Sequence, residues 1–70
     1  MELILLKNEE KSFHYKLGTL LMNADMLPIQ AEQCILIAEN TGKCVIKSGT
    51  IDELLELKTS LSSRLNVELK

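Results

Sequence analysis

The segment from Pro28 to Ile46 constrains the fold more than any other part of the chain. Proline suits the first turn of a helix, where its missing N–H has no hydrogen bond to lose. Small and apolar residues then recur at helical spacing, at Ala31, Ile35 and Ala38. Gly42 can take the left-handed conformation that ends a helix, and a β-branched run typical of a strand follows it directly. The segment therefore predicts a helix, one tight corner and a strand in immediate succession.

The N-terminal third of the chain predicts a strand followed by a helix. Glu2–Lys7 is a continuous apolar run bracketed by charges, a pattern typical of a central strand. Ser12 can cap the helix that follows. Gly18 lies inside this helix at a cost of about 1 kcal/mol relative to alanine, which we interpret as close packing against a neighbouring element. The apolar stripe of the helix consists of Phe13, Leu17, Leu20, Leu21 and Ala24.

The C-terminal third predicts a second helix–strand unit. Thr50 and Glu53 have the spacing of a capping box, in which each side chain accepts a hydrogen bond from the other residue's N–H. Val67–Leu69 alternates in polarity and predicts a final strand. The inward stripe of the helix between them consists of Leu54, Leu57 and Leu61.

The element order is thus β-α-α-β-α-β, and 70 residues allow a single domain that spans residues 1–70. If each connection reverses the chain, the second and third strands both run antiparallel to the first. Placing the first strand between them makes every pairing antiparallel and accounts for its unbroken apolar character. We therefore predict an α+β fold, a two-layer sandwich with a three-stranded antiparallel sheet in order 2-1-3 and three helices on one face.

Composition and charge exclude several classes of partner. The net charge is −2, the basic residues are dispersed, and one Tyr, one Phe and no Trp leave little aromatic surface for stacking on bases. The apolar run Leu3–Leu6 is too short to span a bilayer. An acidic residue directly after Met1 is unlike a signal peptide. We expect a cytoplasmic protein with no nucleic-acid and no membrane partner.

The sequence carries no recognisable catalytic or metal-binding pattern. His14 is the only histidine, and neither a glycine-rich phosphate loop nor a nucleophile elbow is present. The adjacent carboxylates of Glu9 and Glu10 are interpreted as solvated loop residues rather than as an acid/base pair. Cys34 and Cys44 are expected to be small buried hydrophobes rather than a disulfide or part of a zinc site. We predict a protein that is not an enzyme and uses no cofactor.

The helix–glycine–strand segment carries the pattern A-x-Q-x-[apolar]-L-x-x-[polar]-x-x-G-K, with matches at Ala31, Gln33, Ile35, Leu36, Gly42 and Lys43. This segment resembles the core of the ClpS family, the adaptors of the Clp protease. The resemblance extends from residue 4 to residue 69 and implies the same β-α-α-β-α-β fold. It also implies a non-enzymatic adaptor that binds a Clp-family AAA+ ATPase and presents substrates with bulky apolar N-terminal residues.

In ClpS proteins, a pocket between the loop after the first strand and the second helix holds the N-terminal residue of the substrate. The family's loop motif N-D-D-x-T-x-x-M is similar to residues 8–14 here, which are one residue shorter. Such a pocket needs acceptors for an ammonium group beside an apolar cup. The resemblance implies that Asn8 binds the amine, Glu9 is its acidic neighbour, Ser12 replaces the family's threonine, and His14 or Phe13 stands near the methionine gate.

The second helix would supply the rest of the pocket. Ile35 falls where the family has a methionine of the cup, and Glu39 falls where it has an amine-binding histidine. A glutamate still accepts hydrogen bonds and adds a negative charge that suits an ammonium group. Isoleucine keeps the cup apolar but is stiffer than methionine. We expect either a narrowed N-terminal specificity or a pocket that has lost this function.

The resemblance also implies a docking site for the Clp ATPase on the third helix, where the family pattern E-x-x-E-x-K matches Glu53, Glu56 and Lys58. The C-terminal domain of the bacterial ribosomal stalk protein has the same element order, and the end of the chain is similar to it. The glycine-rich entry to the second helix of that domain is absent here. An alternative function is therefore a protein–protein interaction domain of this fold that does not recognise N-termini.

Overall fold

The computed structural model describes residues 1–70, and its elements follow the predicted order. The strands are β1 (Glu2–Leu6), β2 (Lys43–Ser48) and β3 (Val67–Leu69), and the helices are α1 (Phe13–Asn23), α2 (Pro28–Thr41) and α3 (Ile51–Ser62). Neither the length nor the apolar content of any of these helices suffices for a membrane span.

The sheet has the predicted order β2-β1-β3, and both pairings of β1 are antiparallel. Ile4 lies opposite Val45 on one side and opposite Glu68 on the other. The register of β1 with β2 shifts between Leu3 and Ile4, which marks a β-bulge in the edge strand. The α+β fold and the strand order predicted from the sequence are therefore confirmed.

The core lies between one face of this sheet and the helices. Leu3 and Leu5 point into it from β1, whereas Ile4 is buried on the opposite face and lies outside the core cluster. This alternation is the two-residue period of a strand. Every helix contributes apolar side chains to the cluster, and Leu65 before β3 completes it. The helix residues are Leu20, Ala31, Cys34, Ile35, Ala38, Leu54 and Leu61.

The helix ends follow local side-chain and glycine chemistry. The Ser12 hydroxyl accepts a hydrogen bond from the Tyr15 N–H at 3.1 Å, as an N-cap should. The Thr50 hydroxyl accepts from the Glu53 N–H at 3.4 Å. The predicted return bond from Glu53 is not formed, so the expected capping box is only half present. Gly42 ends α2 with φ of 96°, in the left-handed region predicted for it.

The interpretation of Gly18 as a site of close packing is wrong. A Cβ added at Gly18 would meet no atom within 4 Å, so open space lies beside it in the middle of α1.

We expect Gly18→Ala to raise the free energy of unfolding by about 1 kcal/mol, because alanine has less backbone freedom to lose and nothing here obstructs its methyl group. In a domain of this size, that gain corresponds to a rise in Tm of about 4–8 °C. Gly42→Ala is the contrasting variant and should lower stability, because φ of 96° is strained for alanine. Thermal and urea unfolding measure both, and a loss of stability in Gly18→Ala would contradict the open geometry at that position.

Candidate functional site

A backbone hydrogen bond joins the loop after β1 to the C-terminal end of α2. The Lys7 N–H donates to the Gly42 carbonyl at 3.0 Å, which holds the start of the loop at the corner that ends the helix. Asn8 is 8% exposed, and its Oδ1 accepts a hydrogen bond from the Glu10 N–H at 2.9 Å. This local bond is an Asx-type turn that fixes the path of the loop. The loop and the end of α2 therefore form one corner of the molecule.

A cavity of about 340 Å³ opens at this corner, between the loop, the first turns of α1 and the last turns of α2. Ile35 is buried and gives the cavity an apolar wall, and Phe13 adds a half-buried aromatic side chain. The remaining lining is polar or charged. The complete set is Asn8, Glu9, Lys11, Phe13, Lys16, Ile35 and Glu39.

An ion pair between Lys16 and Glu39 crosses this cavity. The Lys16 Nζ donates to the Glu39 Oε1, linking α1 to α2. The Lys16 side chain is only 5% exposed, while that of Glu39 keeps 33% of its surface in contact with solvent. Glu39 lies near the C-terminal end of α2, where the helix dipole also favours a positive charge. The carboxylate at this corner therefore binds an ammonium group, and that group is the Lys16 side chain of the same molecule.

The other acidic group of the cavity is directed elsewhere. Glu9 forms an ion pair with Lys7 at 3.1 Å, and both side chains are largely exposed. Exposed pairs of this kind contribute at most about 1 kcal/mol and exchange readily with water. Glu9 can therefore reorient toward a bound cation at little cost, whereas the Lys16–Glu39 pair is buried on one side and is costly to break.

Four of the six predicted N-terminus-binding residues line this one cavity, namely Asn8, Glu9, Ile35 and Glu39. The other two lie outside it. The Ser12 hydroxyl is used as the N-cap of α1. His14 is exposed and lines a separate cavity beside Tyr15 and Gly18, because successive helix residues point about 100° apart and Phe13 takes the inward direction.

Sequence reasoning missed Lys16, the most buried charged residue of the site. The sequence position of Lys16 indicates burial, because Lys16 falls three residues after Phe13 and beside Leu17 in the apolar stripe of α1. A lysine in a stripe that faces the core requires a buried acidic partner. Only the fold shows that the partner is Glu39, because 23 residues separate the two in sequence.

The predicted ATPase-docking residues do not form a single patch. Glu53 and Glu56 line a shallow cavity of about 240 Å³ beside α1 and β2, together with Asp25 and Lys47. Lys58 follows Glu56 by two residues and therefore lies roughly 160° around α3 from it. Lys58 is half-buried and does not line that cavity.

Comparison with known proteins gives no family for this chain, since no protein-family model matches it and no curated protein matches its sequence. No group of three or more His, Cys, Asp or Glu side chains is placed to hold a metal ion. The chemistry that the site itself offers is the binding of a positively charged nitrogen next to an apolar side chain.

Proposed function

We propose that the chain is a non-enzymatic, ClpS-like adaptor of the cytoplasm that binds N-terminal residues of other proteins and docks on a Clp-family AAA+ ATPase. One observation supports the binding of N-terminal residues. Glu39 binds the Lys16 ammonium group in a cavity that Asn8 and Ile35 also line. The lysine ammonium and the α-ammonium of a protein N-terminus are the same functional group. A cavity that holds one has the acceptors required for the other.

The cavity supplies a distinct contact for each part of such a ligand. The Glu39 carboxylate, the second lone pair of Asn8 Oδ1 and, once it turns from Lys7, the Glu9 carboxylate can accept the three N–H bonds of an α-ammonium group. Ile35 and Phe13 offer an apolar surface for the first side chain. Because Ile35 and Phe13 are both stiffer than methionine, we expect the cavity to accept only a few kinds of side chain at the first position of the bound peptide.

A second candidate function is an interaction domain of the same fold that does not recognise N-termini. The Lys16–Glu39 pair favours it, because an incoming ammonium group must either share Glu39 with Lys16 or displace it. Displacement leaves a buried lysine without a partner, which is unfavourable. The two candidates therefore differ in whether a ligand can compete with Lys16.

Fluorescence anisotropy with labelled peptides separates the two candidates. Peptides that begin with Phe, Leu, Tyr or Trp are each compared with an N-acetylated copy, which keeps the side chain and removes the charge. The adaptor function predicts binding of at least one free-amine peptide, weakened about tenfold or more by acetylation. Equal binding of both forms, or binding of neither, would eliminate N-terminal recognition and leave the second candidate.

The proposed docking on the ATPase is tested by a substitution in α3. If docking uses the E-x-x-E-x-K residues, Lys58→Glu should lower the affinity for the N-terminal domain of a Clp-family ATPase about tenfold, since reversal of one interfacial charge introduces repulsion. Lys70→Glu makes the same change at the exposed C-terminus and should leave affinity unchanged. Because Lys58 is half-buried, the thermal stability of the variant is measured alongside. Unaltered ATPase binding by a folded Lys58→Glu variant would remove the docking site from α3.

A further inference from the structure

The two cysteines of the chain are neighbours on two packed elements, α2 and β2, and line one cavity between them. Cys34 is on α2 and is 3% exposed, while Cys44 is on β2 and half-buried. Both thiols are free and neighbour each other, and the Cys44 thiol donates a hydrogen bond to the Val45 carbonyl at 3.6 Å. Burial raises the pKa of the Cys34 thiol from 9.0 to about 12, and the neighbouring Cys44 adds a smaller contribution in the same direction. The pair therefore consists of one covered thiol and one accessible thiol, neighbours on the packed elements α2 and β2.

A cavity of about 500 Å³ leads to this pair from solvent. Both cysteines line it, together with Met26 from the α1–α2 connection and Lys47 from β2. It is separate from the Lys16–Glu39 cavity, with which it shares no lining residue. A small reagent can therefore reach Cys44 without passing through the proposed N-terminus-binding site.

We infer that Cys34 and Cys44 form a dithiol site that small-molecule disulfides oxidise to an intramolecular disulfide between α2 and β2. In the first step the Cys44 thiolate attacks one sulfur of oxidised glutathione, which gives a mixed disulfide and releases one glutathione thiolate. In the second step the Cys34 sulfur attacks the Cys44 sulfur, gives its proton to solvent and expels the second glutathione. Two protein thiols are oxidised, and one glutathione disulfide is reduced to two thiols.

The two cysteines have different roles because their exposure differs. Cys44 meets the oxidant first, since it is the thiol that solvent reaches. Cys34 is the resolving thiol, because burial keeps it from external reagents and Cys44 is its neighbour across the shared cavity. Its raised pKa leaves little of the reactive thiolate, so the second step is the slower of the two. The bond would close a short loop around the corner at Gly42 and restrict the unfolded chain, so the oxidised protein should unfold at a higher temperature.

The test is oxidation of the folded full-length chain with excess oxidised glutathione, followed by denaturation, alkylation of free thiols and intact-mass measurement. The wild-type chain should lose the mass of two hydrogen atoms, gain no alkyl group and remain monomeric. Cys34→Ser should stop at the mixed disulfide and carry one glutathione on Cys44. Cys44→Ser should carry none, because the remaining thiol is covered.

The wild-type result decides the inference even where a serine variant fails to fold. Persistence of two alkylatable thiols, a stable mixed disulfide as the end product, or a dimer linked between chains would each overturn it. So would an intramolecular disulfide that forms only in denaturant, since that bond would not depend on the contact in the fold. Dithiothreitol should restore both thiols and the original unfolding temperature.

Discussion

Glu39→Ala is expected to lower the free energy of unfolding by about 3 kcal/mol, the lower end of the range for breaking a buried ion pair. The substitution leaves the Lys16 ammonium without a partner, although its side chain is only 5% exposed. The expected value is at the lower end because Glu39 keeps 33% of its side chain in solvent, so water partly screens the pair. Urea unfolding followed by circular dichroism measures the loss.

Two variants make this result specific to the ion pair. Glu32→Ala removes an exposed carboxylate from the same helix and should change stability by no more than about 0.5 kcal/mol. Lys16→Met removes the other partner, and it should cost no more than about 1 kcal/mol because water can solvate the remaining Glu39 carboxylate. Equal losses for Glu39→Ala and Lys16→Met would show that the unpaired lysine is not the origin of the effect.

Lys16→Met is also expected to increase the affinity for free-amine peptides about tenfold or more. A hydrogen bond between charged groups contributes about 1.5–3 kcal/mol, and the variant frees Glu39 from the internal bond that a ligand must otherwise share or displace. Methionine retains the apolar stem of lysine, so the wall of the cavity is kept. Anisotropy titrations of wild type and variant with the same Phe-initial peptide measure the gain.

Lys11→Met is the matched control for this gain. It removes another positive charge from the lining of the same cavity, but Lys11 lies over the Tyr15 ring and is not bonded to Glu39. Its effect on affinity should be small. A similar gain in peptide affinity in both variants would show that removal of any positive charge from the cavity suffices. A gain in affinity for acetylated peptides would show that the added apolar contact, rather than the release of Glu39, is responsible.

The fold could be predicted from the sequence because its signals are local. Pro28, Gly42 and Thr50 mark helix ends through backbone and capping chemistry that acts within a few residues. The central position of β1 followed from its unbroken apolar run, and the strand order confirms it. Gly18 was misinterpreted because the space beside a glycine depends on neighbouring elements, which a single sequence does not reveal.

The candidate site could be predicted only in part from the sequence, because its geometry depends on which elements pack together. Asn8 and Glu39 could be assigned to one cavity through the resemblance to ClpS, and they do line one. The Lys16–Glu39 ion pair and the neighbouring Cys34 and Cys44 each join different elements, and the spacing of the residues implies neither arrangement. The direction of the His14 side chain likewise depended on which face of α1 turned inward.

Recognition of a free N-terminus at the Glu39 corner is tested most directly by an NMR titration of the wild-type chain with a Phe-initial peptide and its acetylated copy. The free-amine peptide should shift the Ile35 methyl signals and the Asn8 side-chain amide signals, and the acetylated copy should leave them in place. Unmoved Ile35 and Asn8 signals, accompanied by shifts at the exposed Ile29 and Leu36 on α2, would contradict the proposed site.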